Sequence, residues 1–132
     1  MITGELKQKI DRVWDAFWSG GISNPLEVIE QITYLLFIRR LDDVQTLAER
    51  KAQYTGGLVE NPIFTPEQHT MRWHEFRDTA PKTMFGIVSN QVFPFLREIG
   101  GDGSTYSDHM KDARFTIPTP ALLSKVVDML DG

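Results

Sequence analysis

Between residues 24 and 50 the chain carries a helix signal strong enough to organise whatever surrounds it. Asn24 can cap, Pro25 suits the first helical position, and Glu27 sits where its side chain can reach back to the cap. A residue before proline avoids helical dihedrals, as an N-cap must. From Leu26 onward Val28, Ile29, Ile32, Leu35, Leu36, Phe37, Ile38, Leu41, Val44, Leu47 and Ala48 recur at helical spacing, and both faces are apolar through the middle. The β-branched pair Ile32-Thr33 beside Tyr34 would suit a strand, but the cap and the long periodic continuation outweigh it. The expectation is a central helix near residues 25–50, contacted from several sides and stopped by Gly56-Gly57.

The flanking segments are also helical in pattern. Leu6, Ile10, Val13, Trp14, Phe17 and Trp18 step by three and four, with Thr3 as the expected cap and Ser19-Gly20-Gly21 as the stop. Residues 58–65 read as an extended loop around Pro62. Thr65-Pro66-Glu67-Gln68 has the form of a capping box and opens a short helix through Met71, Trp73 and Phe76. Pro81 starts a helix bearing Met84, Ile87, Val88, Val92, Phe95, Leu96 and Ile99. Pro94 lies inside that pattern, so a kink or break is expected near Val92–Phe93. Gly100 to Ser104 reads as a loop and residues 107–114 as a short, weak helix. Thr119 caps a last helix begun by Pro120, with Leu122, Val126, Met129 and Leu130 as its stripe. The fold class expected is all-α: one compact bundle of about five to seven helices.

Composition excludes several classes. A chain of 132 residues is one ordinary domain, large enough for a core without staples. Having no cysteine, it has no disulfide, thiolate metal site or thiol nucleophile, which fits a reducing cytoplasm. The first residues are polar too early for a secretory signal, and the longest apolar run, Tyr34 to Ile38, is far short of a membrane span. A soluble cytoplasmic domain is expected. The net charge of −4, with neither half basic, argues against stand-alone binding to DNA, which relies on neutralising several phosphates.

Residue patterns that could carry chemistry mostly fail their tests. Asn61-Pro62-Ile63-Phe64 approaches the Asn-Pro-Pro-aromatic motif with which amino-group DNA methyltransferases grip a flipped base. However, Ile63 replaces the second proline and no strand or glycine-rich donor loop precedes it. An ordinary loop with Ile63 and Phe64 packed on the bundle is the better reading. Gly101-Asp102-Gly103 lacks the strand before and helix after that a cofactor-binding loop needs. His69 and His74 are five apart and do not align on a helix face; His109 with Asp112 lacks a third ligand. No catalytic, cofactor-binding or metal residue is therefore assigned. Asp42-Asp43 reads as solvated helix surface. Trp14, Phe17, Trp73, Phe76, Phe93 and Phe95 are spaced for packing, whereas Trp18, beside the glycine break, is the aromatic residue expected to stay partly exposed and touch a partner. Arg39 and Arg40 are the basic pair of the long helix. An Arg39–Asp43 ion pair four residues apart is one reading; contact with a phosphate or a partner protein is the other.

Residues 11–43 together are the most distinctive part of the chain. Trp14 lies in an aromatic-faced first helix, Ser19-Gly20-Gly21 forms a small-residue turn, and Leu35 to Asp43 reads Leu-Leu-Phe-Ile-Arg-Arg-Leu-Asp-Asp. This pattern resembles the opening of the modification subunit, a DNA adenine methyltransferase, of type I restriction-modification systems. The sharp match covers about the first third of the chain. Where that family commonly has a Leu-Arg-Gly-like turn this chain has Trp18-Ser19-Gly20, so no role of that arginine carries over.

The resemblance implies that residues 1–132 are an N-terminal helical domain. A Rossmann-like catalytic domain would follow residue 132, holding S-adenosyl-L-methionine and an Asn-Pro-Pro-Phe motif. The full subunit would methylate the exocyclic N6 of adenine in double-stranded DNA. Two such subunits would join one specificity subunit, with a restriction subunit as a further partner. The helical domain would help them assemble and close around the duplex, and would be inert alone. The rival readings are a helical protein-interaction adaptor unrelated to methylation and a free-standing enzyme built on His69, His74 or His109.

Overall fold

The computed structural model describes residues 4–59, 62–100 and 113–131. The side chains of Glu5, Leu6, Ile99 and Gly100 lie outside this description. So do the Thr3 cap, Asn61, the Gly101-Asp102-Gly103 turn, His109 with Asp112, and residues 107–112 of the weak helix. Ala113 and Arg114, the rest of that helix, are not helical.

The described residues form six α-helices and no strand: α1 (Gly4–Ser19), α2 (Pro25–Thr55), α3 (Trp73–Phe76), α4 (Pro81–Ile87), α5 (Phe93–Gly100) and α6 (Pro120–Asp131). A 3₁₀ turn, Pro66–Met71, precedes α3, and a π turn, Val88–Val92, joins α4 to α5. The all-α bundle read from the sequence is the fold.

Local chemistry accounts for the end of α1, both ends of α2 and the start of α6. Helix α1 closes on Gly21, whose φ of 98° suits glycine, and Ile22 N–H donates back to the Phe17 carbonyl at 3.0 Å. Neighbouring Gly20 is needed for space, because a Cβ there would lie 2.5 Å from Leu122 Cδ2. At the start of α2, Leu26 N–H donates to Asn24 Oδ1 at 3.0 Å, with Pro25 as the first helical residue. The helix runs five residues past Arg50, to Thr55, and closes on Gly56 at φ 72°. Thr119 Oγ1 accepts from Leu122 N–H at 3.2 Å, as expected for the cap of α6.

Pro94 shapes the middle of the chain. A proline in a regular helix lacks the N–H for its i−4 bond and its ring strikes that carbonyl. Here the turn before it widens: Phe93 N–H donates five residues back, to Val88. The break expected near Val92–Phe93 is thus realised as a π turn that lets α4 and α5 continue as one rod.

Helix α6 buries Leu122, Leu123, Val126, Val127 and Leu130 and packs against both α1 and α4. Helix α2 lies along this core and turns Val28, Leu35, Ile38 and Leu41 inward. Helix α2 is contacted from several sides, as expected: by α3, by Phe93 of α5, by the end of α6 and by the loops at Phe64 and Thr116. Its second apolar face, opposite the buried one, is exposed at Leu26, Ile29, Leu36, Val44 and Leu47.

Candidate functional site

The inward stripe of α2 is not wholly apolar. Gln31, Asp42 and Gln45 fall on it at helical spacing, and all three are buried. A buried polar group costs stability unless its hydrogen bonds are made. Each of these groups makes them, and each grips a different part of the chain.

The two glutamines act as backbone clamps. Gln45 Oε1 accepts from Phe64 N–H at 2.6 Å while its Nε2 donates to the Phe64 carbonyl at 3.2 Å. Gln31 repeats the device near the other end of α2, donating to the Arg114 carbonyl at 2.8 Å and accepting from Thr116 N–H at 3.1 Å. Phe64 is thereby seated in the core, stacked on Phe95 with centroids 5.0 Å apart. Ile63 packs beside it, as the loop reading of residues 58–65 expected.

Asp42 anchors the third element. Its Oδ1 accepts from Arg72 Nε at 2.6 Å, and its Oδ2 accepts from the His74 backbone N–H at 3.0 Å and lies 2.7 Å from His74 Nδ1. Arg72 is itself buried and donates on to both Glu49 oxygens, at 2.9 and 3.0 Å, and to Thr46 Oγ1 at 3.0 Å. Drawing Arg72 inward takes its backbone into an extended conformation, at ψ 139°. That is why the single helix expected over residues 66–76 is split into the 3₁₀ turn and α3. Asp42 is only 4 % exposed, so the solvated-surface reading of Asp42-Asp43 is corrected for its first member.

Around this ion pair lies a polar cleft of about 430 Å³ whose walls include Arg39, Arg50, Arg77 and Asp131. Asp131 Oδ1 accepts from Trp73 Nε1 at 2.8 Å and from Arg77 Nη1 at 3.0 Å. Arg39 reaches across to donate to the Leu130 carbonyl, one of the orphan acceptors at the end of α6. The Arg39–Asp43 pairing is therefore replaced by a helix-terminus contact. Arg40 is exposed on the opposite side of α2, and Trp18 is 62 % exposed beside its glycine turn. The structure does not bring Arg39, Arg40 and Trp18 into one site.

The histidines lie closer than their spacing suggests. The extended residue Arg72 intervenes, so His69 Nε2 and His74 Nε2 both reach Glu75 Oε1, at 3.1 and 3.2 Å. Both ring nitrogens of His74 are thus engaged, one by Asp42 and one by Glu75. Among the described residues no group of three or more histidine, aspartate or glutamate side chains has a metal-binding arrangement.

Asp42, Glu49 and Asp131 favour their charged forms. Burial pushes the Asp42 carboxyl up, but the His74 N–H together with Arg72 and the His74 ring holds it below its ordinary value of 3.8. Hydrogen bonds from Arg72 hold Glu49 below 4.5, and the Trp73 N–H chiefly holds Asp131 below 3.8. A carboxylate whose folded pKa is lowered contributes stability above its unfolded pKa and loses it as pH falls through the folded one. Stability is accordingly expected to hold from neutral pH to about pH 5 and to decline below about pH 4.5. Urea unfolding followed by circular dichroism at a series of pH values measures this. A midpoint unchanged down to pH 3 would contradict the role given to these three groups.

Fold and site together define a helical scaffold domain, one long helix of which clamps the loops around it through buried side chains. A family model described as the HsdM N-terminal domain matches residues 6–130, and the chain belongs to that family. It is the N-terminal part of a type I restriction-modification methyltransferase subunit. No curated protein and no solved structure matches it. Three residues of the Arg39-Arg40-Leu41-Asp42-Asp43 run, the end of the 11–43 pattern that carried the resemblance, hold the fold: Arg39 on α6, Leu41 in the core and Asp42 on Arg72.

Glutamines 31 and 45 escaped the reading of the sequence, although a signal was there. Both stand on the same 3.6-residue stripe as Val28, Leu35 and Ile38, where a polar side chain must be satisfied internally. The partners, Phe64 and residues 114–116, lie 19 and more than 80 positions away, and nothing local identifies them.

Proposed function

We propose that this domain serves assembly of the modification enzyme and its closure around double-stranded DNA, and is inert alone. The observation that carries this reading is the family match over residues 6–130. The described residues include no strand followed by a glycine-rich loop, the unit that holds S-adenosyl-L-methionine in such enzymes. In this reading the donor is held by a separate catalytic domain of the full subunit, expected after residue 132. The partners in this reading are the specificity subunit, a second modification subunit and the DNA, with a restriction subunit joining the same assembly in the cytoplasm. No helix among the described residues is long and apolar enough to cross a membrane. Trp18 and Arg40 are the exposed residues offered for partner or DNA contact, with Arg39 acting through α6.

Two measurements test this. The 132-residue chain, incubated with labelled S-adenosyl-L-methionine and duplex DNA, is expected to transfer no methyl group; transfer would overturn the reading. Deleting residues 6–130 from the full subunit is expected to abolish both assembly with the specificity subunit and site-specific methylation. An adaptor unrelated to methylation would leave both intact.

A further inference from the structure

The exposed face of α2 is an extended surface that the fold of the described residues does not use. Leu26, Ile29, Leu36, Val44, Leu47 and Tyr54 are between 40 and 95 % exposed. At 100° per residue they fall within a quarter-turn of one another, forming a stripe about 42 Å long. Thr33 lies within it, its hydroxyl turned to the Ile29 carbonyl at 2.7 Å. Beside Ile29 and Leu36 the stripe opens into a groove of about 460 Å³ between α1 and α2, floored by Ile10, Val13 and Trp14. Clustered exposed apolar side chains rimmed by polar ones are the usual mark of an interaction surface.

The charges within the stripe select the occupant. They are Arg40, at its midpoint, and Lys51; Glu30 and Asp43 stand only at its margins. A second copy pairing through this stripe, parallel or antiparallel, would set Arg40 against Arg40, a like-charge contact that disfavours association. Duplex DNA is a poor match, because two cations set among six large apolar side chains do not make a phosphate track. The complement of the stripe is an amphipathic helix with an apolar ridge at three- and four-residue spacing and a carboxylate in register with Arg40.

We infer that the Leu26–Tyr54 face of α2 docks an acidic amphipathic helix belonging to another subunit of the restriction-modification complex. The inference rests on the assembly reading above and names the surface and partner chemistry that reading leaves open.

The test uses the assembled complex. A benzophenone amino acid at position 47 is expected to crosslink, on irradiation, to a helix of another subunit with Asp or Glu in its polar register. A crosslink to a second copy of this chain, to another segment of the same polypeptide or to DNA would overturn the inference, as would none at all. Arg40 is exposed, so Arg40→Glu is expected to keep the helical circular dichroism while weakening assembly about tenfold. Exchanging the crosslinked partner's carboxylate for lysine is then expected to restore it. Normal assembly of Arg40→Glu, or no restoration by the exchange, removes this docking face while the deletion of residues 6–130 still decides the assembly reading.

Discussion

Asp42→Ala is expected to destabilise the domain by about 3 kcal/mol or more, a loss of roughly 10 °C in melting temperature. The substitution removes the carboxylate that neutralises Arg72 inside the fold. Arg72 and Asp42 side chains are only 7 and 5 % exposed, so water cannot take over. Removing one partner of a buried pair typically costs 3–5 kcal/mol, because a desolvated charge is left behind. Glu49 still meets Arg72 with both oxygens and keeps the loss at the lower end. The backbone N–H of His74 is orphaned as well, adding the cost of an unmade hydrogen bond. Thermal unfolding by circular dichroism measures the effect. A change below about 1 kcal/mol, the range of a surface pair, would show that Asp42 is not the anchor described.

Phe93→Ala should cost about as much, roughly 3–5 kcal/mol, by a different route. Phe93 is 1 % exposed and directly follows the π turn. Its ring meets Tyr34 of α2 edge-on at 5.6 Å and Phe115 at 5.1 Å, so a single side chain ties α5 to α2 and to the segment before α6. Truncation leaves a cavity that these larger neighbours fill only in part, and it removes two ring–ring contacts worth about 0.5–1.5 kcal/mol each. Phe93→Leu should recover much of the loss by refilling volume. If both variants melted as the parent does, Phe93 could not be the joint between these elements.

Helix identity was legible in the chain because its punctuation is local. Asn24-Pro25, Thr119-Pro120 and the glycines at 21 and 56 act within one turn, and each forms the boundary expected of it. Pro94 likewise announced a disturbance, although its form depends on how the turn before it absorbs the missing donor. What the sequence could not disclose was which face of α2 would be covered. Both faces are apolar in the middle, and only tertiary packing chooses between them. The same choice carries Asp42 inward and leaves Arg40 outside, so the polar residues of one short run meet opposite fates. The candidate site was less legible still, since the partners of Gln31, Asp42 and Gln45 come from distant segments and no periodicity encodes them.

The glutamine clamps have one further consequence. What Gln31 and Gln45 hold is main chain, common to every amino acid, so the tethered loops can exchange their outward side chains without slipping their moorings. A domain fastened in this way can wear a different surface for each partner set while its frame stays the same.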